Sequence, residues 1–536
     1  MQRPSFSWRT LTRLSVLVFG LLMSASTARA AEAGAKVVEG TFEAMVNDAF
    51  GTAVEGLSTV LFFPIASFEV GGKPVEIPAV VVWLALGALF FTVRLGFINI
   101  RLFRHAFTVV RGTYDNPSDP GEVTHFQALT TALSATVGLG NIAGVAVALM
   151  LGGPGATFWM IVFGFLGMST KFVECTLGVK YRVTDANGQL QGGPMRYLRT
   201  GLANRKAGWL GKGLAFLFAV LCIGGSFGGG NMFQVGQSYA VVNGALVDAF
   251  GITMSTSTYG IILLLGVGLV IIGGIQSIAR VADKIVPAMV ILYLVCTIVI
   301  LFAHVADIPA AFGSIFAGAF SPEAGFGGFI GVMIMGIKRA VFSNEAGIGS
   351  AAVAHSAAKT RRPVREGAVA LLEPFVDTVI VCTMTALAII VTGALDDPSN
   401  RDMITNQAGA ALTGAAFGSV ISWFPYVLAI CVLLFAFSTM ISWSYYGERS
   451  FTYIFGPKSS MVYKVIFLGF IYLGAVSSLG NVIEFSDMMI LAMSVPNMVG
   501  LYIMSNEVKR DTDVYIADWK GGRFTADNGK SGPPAE

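Results

Sequence analysis

The chain has 536 residues, 54% of them hydrophobic and only 12% charged, against roughly 25% charged in an average soluble domain. That balance places it in a bilayer, and a net charge of +3 with no basic tract interleaved with aromatics gives nucleic acid no footing. The cysteines (Cys175, Cys222, Cys296, Cys382, Cys431) sit singly in apolar stretches and the histidines (His105, His125, His304, His355) form no metal spacing, so the former read as small core residues and the latter as interfacial ones.

Residues 1–30 carry Arg3, Arg9 and Arg13, an apolar run from Leu14 to Met23, and Ala28-Arg29-Ala30, the pattern of a signal peptide or signal anchor. An extracytoplasmic segment, 31–77, follows. About eleven apolar segments then come near the length of roughly 20 residues that a spanning helix needs. They lie near 80–98, 125–149, 155–179, 213–247, 258–277, 285–305, 326–354, 366–392, 421–446, 462–477 and 483–504. Barrel strands run to only about ten residues, so the expected class is an all-α polytopic membrane protein. From 511 to 536 the chain is polar, rich in Gly, Asp and Pro, and reads as a disordered cytoplasmic tail.

Loops after odd-numbered spans hold most of the basic residues, among them Arg101, Arg104, Lys180, Arg182, Arg205, Lys284, Arg361, Arg365 and Lys458; the opposing loops hold Lys36, Lys73 and Arg401. By the positive-inside rule the mature N-terminus is outside and the C-terminus cytoplasmic, in a plasma membrane, the inner membrane of a bacterium.

Two spans are broken by glycine. Ser134-Ala-Thr-Val-Gly-Leu-Gly-Asn-Ile-Ala-Gly144 interrupts the second, and Ser343-Asn-Glu-Ala-Gly-Ile-Gly-Ser-Ala-Ala352 interrupts the seventh in matching register. Unpaired backbone groups cost several kcal/mol in hydrocarbon, so irregular backbone at membrane depth implies a cavity or a ligand. Paired breaks in two halves point to a secondary transporter. An odd offset of five spans inverts the second unit, giving repeats at 125–305 and 326–504 with 78–98 as an accessory helix in front. Free N–H groups near Leu139, Gly140 and Asn141 would attract an anion, and the carbonyl end near Phe342 and Ser343 a cation. An α-amino acid zwitterion with a dehydrated Na⁺ beside it fits such a pair of opposed ends.

Thr131-Ala-Leu-Ser-Ala-Thr-Val-Gly-Leu-Gly-Asn-Ile-Ala-Gly144, Lys171-Phe-Val-Glu174, Val179-Lys-Tyr-Arg182, Gly192-Gly-Pro-Met195, Phe342-Ser-Asn-Glu-Ala-Gly-Ile-Gly-Ser350 and Glu373-Pro-Phe-Val-Asp377 resemble the alanine or glycine:cation symporter family, the sodium:alanine symporters, from about residue 45 to 510. The resemblance implies the leucine-transporter-like five-plus-five inverted repeat. It also implies a sodium site from the carbonyls of Ser134 and Val137 with Ser438 and Thr439, and substrate contacts at Thr136, Gln234, Asn344 and Trp443. Gln237, one turn from Gln234, competes for that role. Gly138, Leu139, Gly140 and Gly347 complete the pocket at the breaks, and Trp443 with Phe342 should leave room for a methyl side chain but not for leucine.

The expected function is sodium-coupled symport of alanine or glycine, with Na⁺ and membrane lipids as partners and neither ATP nor an organic cofactor; the alternative is proton-coupled symport on the same fold. Charges within spans cost on the order of 2.5–3.5 kcal/mol each at the helix centre. Lys171 and Glu174, three apart near the inner end of the third span, are read as pairing or snorkelling, and Glu373 and Asp377 as braces against loop arginines. Lys338 and Arg339 read as vestibule residues, and Glu345 as an acceptor for freed N–H groups ahead of a proton carrier. A potassium-channel filter fails because the second break lacks Thr-Val-Gly. An ATP-driven pump fails because Gly529-Lys530-Ser531 has no leading phosphate-loop glycine. No convergent nucleophile or metal set suggests an enzyme.

Overall fold

Glycine at positive φ ends several of the described helices, at Gly153, Gly251 and Gly456. The computed structural model describes residues 51–52, 55, 63–70, 73–184, 190–320 and 325–524. The expected signal at 1–30 lies outside the described residues, as do 525–536 of the expected tail. Among the described residues seven helices are long and apolar enough to cross a membrane, from Gly155–Lys180 to Leu479–Lys520, and the pair His125–Thr136 and Gly140–Gly152, bent by 50° at its break, makes an eighth. The other expected spans also fall on helices. Ala79–Arg94 and Thr256–Ile271 have 16 residues each, about 24 Å at 1.5 Å per residue, and Gly325–Asn344 has 20. Length and apolarity alone thus count seven or eight spans where the sequence suggests about eleven.

The exterior is apolar where that of a protein in water would be polar. Leu265, Leu269, Ile272, Ile291, Val295 and Phe302 are exposed along neighbouring helices, while Lys171, Glu174, Glu366, Glu373 and Asp377 are buried. A contiguous apolar exterior of this kind belongs against lipid. Helix Phe424–Phe455 runs through the middle and packs on the first broken helix, on Gly274–Ala303 and on Gly208–Phe227. Three consecutive glycines, Gly228 to Gly230, widen the latter helix into a π turn over Gly228–Met232. A Cβ on Gly230 would lie 2.3 Å from Cγ of Trp443, so glycine is what lets that turn lie on the indole.

Two features depart from the sequence reading. Pro64–Val70 pairs antiparallel with Lys73–Pro78 ahead of the first apolar helix. The last helix runs on to Lys520, past the position where the tail was expected to begin. The extension has a physical cause: Tyr515 hydrogen-bonds His105 at 2.7 Å, and Trp519 packs on the same imidazole at 4.3 Å between centroids. His105 is therefore buried rather than interfacial. Burial, aided by the nearby Arg365, lowers its pKa to about 4 and keeps it neutral.

Candidate functional site

Thr124 starts the first broken helix with a capping box to Gln127, and the helix ends at Thr136. Val137 leaves helical geometry (φ −75°, ψ 85°), and the chain re-enters a helix through a π turn at Gly140–Gly144. The backbone groups freed here find partners. Gly138 N–H donates to Asn141 Oδ1 at 2.9 Å, Leu139 N–H to Gln234 Oε1 at 3.2 Å, and Asn141 N–H turns back to the Gly138 carbonyl at 3.2 Å. The expectation of free N–H groups at Leu139 and Asn141 is corrected accordingly: in this conformation a glutamine from a neighbouring helix and a local turn occupy them. Buried N–H groups without water have to pair, and these were within reach.

The second break closes differently. After Asn344 the chain passes through left-handed or otherwise positive φ at Glu345 (58°), Gly347 (95°) and Gly349 (88°) before helix Ala351–His355. A non-glycine residue at positive φ is uncommon and needs support from its surroundings. Glu345 has it: Oε1 accepts from the Trp443 indole N–H at 2.9 Å, and Oε2 accepts from the Ser350 hydroxyl. Asn344 Oδ1 accepts from Ala346 N–H at 2.9 Å. Asn497 donates to the Gly347 carbonyl at 2.9 Å and to Glu174 at 2.6 Å.

One carboxylate joins the two breaks. Asp377 Oδ1 accepts from the Asn141 amide at 2.6 Å, and Oδ2 accepts from the hydroxyls of Ser343 at 2.8 Å and Thr378 at 2.7 Å. The backbones also approach directly, since a Cβ on Gly140 would lie 3.4 Å from Cα of Ser343. Phe342 sits against Phe233 and beside Gly140 and Gly229.

The expected residues separate on these contacts. Gln234 bridges Leu139 N–H and the Gly229 carbonyl, to which its amide donates at 2.8 Å, whereas Gln237 turns to Gln407 and Ala410; of the two, Gln234 is the one at the first break. Asn344, Phe342, Gly347 and Trp443 lie at or against the second break. Thr136 returns its hydroxyl to the Ala132 carbonyl at 3.2 Å, within its own helix. Ser134 donates to the Ser438 carbonyl at 2.7 Å, which brings the first break against helix Phe424–Phe455. Ser438 donates to its own helix at Phe435, but Thr439 Oγ1 is buried without a hydrogen-bond partner, and a Cβ on Gly138 would come within 2.3 Å of it. Oxygens of Ser134, Val137, Ser438 and Thr439 are the hard neutral donors that a monovalent cation takes. Among the described residues no group of three or more His, Cys, Asp or Glu could hold a metal ion.

Several in-span charges sit otherwise than expected. Lys171 pairs with Glu373 at 3.1 Å rather than with Glu174, and Asp377 meets polar groups of the breaks rather than a loop arginine. Arg339 is buried, paired with Asp487 and placed 5.2 Å from the Phe342 ring centre. His125 and His355 are fully buried on Glu366, not interfacial.

A lipid-facing helical protein with two interrupted helices meeting at a buried polar centre is a multi-pass membrane transporter. The sodium:alanine symporter family matches residues 67–527, and the chain belongs to that family, whose members are symporters rather than enzymes. The sodium/alanine symporter AgcS of Methanococcus maripaludis is 41% identical over 82% of this chain and 94% of its own length. The Bacillus subtilis protein named "Probable sodium/glutamine symporter GlnT" is 35% identical over 83% of this chain and 89% of its own. Among solved structures, MhsT in complex with L-phenylalanine is similar at a TM-score of 0.43 and 15% identity, over 73% of this chain and 99% of that one.

Proposed function

We propose that this chain is a Na⁺-coupled symporter of small neutral amino acids, alanine and glycine, working by alternating access in a plasma membrane with the mature N-terminus outside. The observation that carries the reading is the buried, unpartnered Thr439 hydroxyl against Gly138 of the first break. A buried hydroxyl without a partner costs about 1–3 kcal/mol, and a dehydrated Na⁺ held by it, by Ser438 and by the carbonyls of Ser134 and Val137 would relieve that cost.

The amino acid would lie beside the ion. Its carboxylate would take the N–H groups of the first break, with Gln234 releasing Leu139. Its ammonium would face the carbonyl end at Phe342 and Ser343, and Asn344 would orient it. Trp443, fixed by Glu345, and Phe342 limit the side chain to about a methyl group, which favours alanine and glycine over the glutamine that one relative's name carries. The two breaks belong, in this reading, to two inverted five-helix repeats at 125–305 and 326–504, behind an accessory helix at 78–98.

A zwitterion moving with one Na⁺ carries net charge, worth about 2.3 kcal/mol per 100 mV. A tenfold Na⁺ gradient adds about 1.4 kcal/mol, and together they would sustain roughly 500-fold accumulation. The test is uptake of labelled alanine into proteoliposomes under imposed Na⁺, Li⁺ or H⁺ gradients. Accumulation with Na⁺ that vanishes in choline at constant pH supports the reading. Accumulation driven by H⁺ with choline present replaces it with the proton-coupled mechanism.

A further inference from the structure

The halves of the broken helices that carry His125 and His355 are joined by contacts with no role in holding substrate. Glu366, on helix Pro363–Ala370, lies between the two histidines. Its Oε2 meets His125 Nδ1, at the start of the first broken helix, and its Oε1 meets His355 Nδ1 at 2.6 Å, at the end of the second. All three side chains are buried. An ionised carboxylate only accepts, so each imidazole donates its Nδ1 proton to one oxygen. His355 Nε2 lies 3.5 Å from Glu373, which pairs in turn with Lys171.

The backbones next to these histidines are joined as well. Val123 and Ala358 form a parallel bridge; Glu122 N–H donates to the Ala357 carbonyl at 2.8 Å and Lys359 N–H to the Val123 carbonyl at 2.8 Å. Arg182, at the end of helix Gly155–Lys180, donates to carbonyls of both segments: Pro120 at 2.7 Å on one, Ser356 at 2.8 Å, Ala358 at 2.6 Å and Thr360 at 2.6 Å on the other. Gly121 makes the approach possible, since a Cβ there would lie 2.3 Å from Cα of Lys359.

We propose that Glu366 is a positioning residue whose clasp on His125 and His355 makes these two half-helices one rigid body, so that they move together, never apart, when the site opens on their side. The proposal rests on the transport reading above. Three independent layers (carboxylate, backbone bridge and Arg182) join the same two segments, and separating them would strand a buried carboxylate between two imidazoles. Glu366 thereby sets how Gly140 lies against Ser343 without touching the substrate.

The test uses a cross-link between the bridged residues. Neighbouring strands place paired Cα atoms about 5 Å apart, within disulfide reach, and the native cysteines are all buried. Alanine uptake by the wild-type protein is measured first; its absence would count against the transport reading, before any variant is compared. In Val123→Cys/Ala358→Cys, oxidation is expected to leave uptake within twofold of the reduced protein. A loss of tenfold or more on oxidation, recovered with reductant, would overturn the proposal, because the segments would then have to part in each cycle. Glu366→Gln is expected to lower uptake at least tenfold, and oxidation of the triple variant to restore it to within threefold of wild type. A folded Glu366→Gln protein that the disulfide fails to restore would also overturn it. Should Glu366→Gln fail to fold, the double-cysteine comparison decides alone.

Discussion

The two breaks solve the same problem, freed backbone in a dry interior, by different means. The first keeps every non-glycine residue at negative φ and borrows a capping group from another helix, with Gln234 on Leu139, and packs its glycine against Thr439. The second makes its own turn, with positive φ at Glu345, Gly347 and Gly349 and with Asn344 and Ser350 closing it locally. A backbone N–H held by a side chain from another helix, as Gln234 holds Leu139, can exchange that partner for a ligand; a turn set by positive φ, closed locally and braced by Trp443 and Asn497, is a fixed wall. The first break is therefore where binding should be felt, and the second is what it is felt against.

Glycine substitutions should separate the two most strongly. Gly138→Ala places a methyl 2.3 Å from Thr439 Oγ1, so Na⁺-driven uptake should fall more than a hundredfold while the thermal midpoint of the purified protein moves little. Gly347→Ala puts a side chain at φ 95° and within 2.5 Å of Leu84, at a cost of about 1–3 kcal/mol. It should lower the thermal midpoint as well as uptake. Equal thermal shifts for the two variants would erase the contrast.

The next effect is on the ion. Thr439→Ala should raise the Na⁺ concentration for half-maximal uptake at least tenfold, or about 1.4 kcal/mol. Ser438→Ala should raise it less, because that hydroxyl already bonds Phe435. An equal shift in both, measured as Na⁺ titrations of initial rate, would place the ion elsewhere.

Trp443 sharpens the idea of a wall. Trp443→Ala should admit leucine, read as competition against labelled alanine, whereas Trp443→Phe, which keeps the ring and loses the N–H to Glu345, should raise KM only severalfold. Glu345→Gln should act more mildly still on Na⁺-driven uptake, since the amide retains an oxygen for the indole. Loss of gradient-driven uptake with exchange intact in that variant would instead make Glu345 the proton carrier of the alternative mechanism.

Much of this was legible in the sequence because glycine states its own reason. Gly138, Gly140, Gly347 and Gly349 in an apolar context mark where a helix stops, and the breaks fall there. The tertiary partners of buried polar groups were not legible. Lys171 and Glu174, three residues apart, suggest a local pair, yet they turn to Glu373 and Asn497 on different helices. Asp377 gives no sign along the chain that Asn141 and Ser343 will meet it. Which of Gln234 and Gln237 faces the first break depends on helix rotation around the Gly228–Met232 π turn, which adds a residue to the local period. His125 and His355 sit at span ends, where an interfacial reading is natural, and only the fold places Glu366 between them.

The most direct test of the central claim, that ion and amino acid share the centre between the breaks, is equilibrium binding of labelled alanine to the purified protein across a Na⁺ titration, in wild type and Thr439→Ala. Na⁺ should tighten alanine binding at least tenfold in the wild type, and the dependence should largely vanish in the variant. Alanine binding of equal strength with Na⁺ and with choline in the wild type would contradict the account.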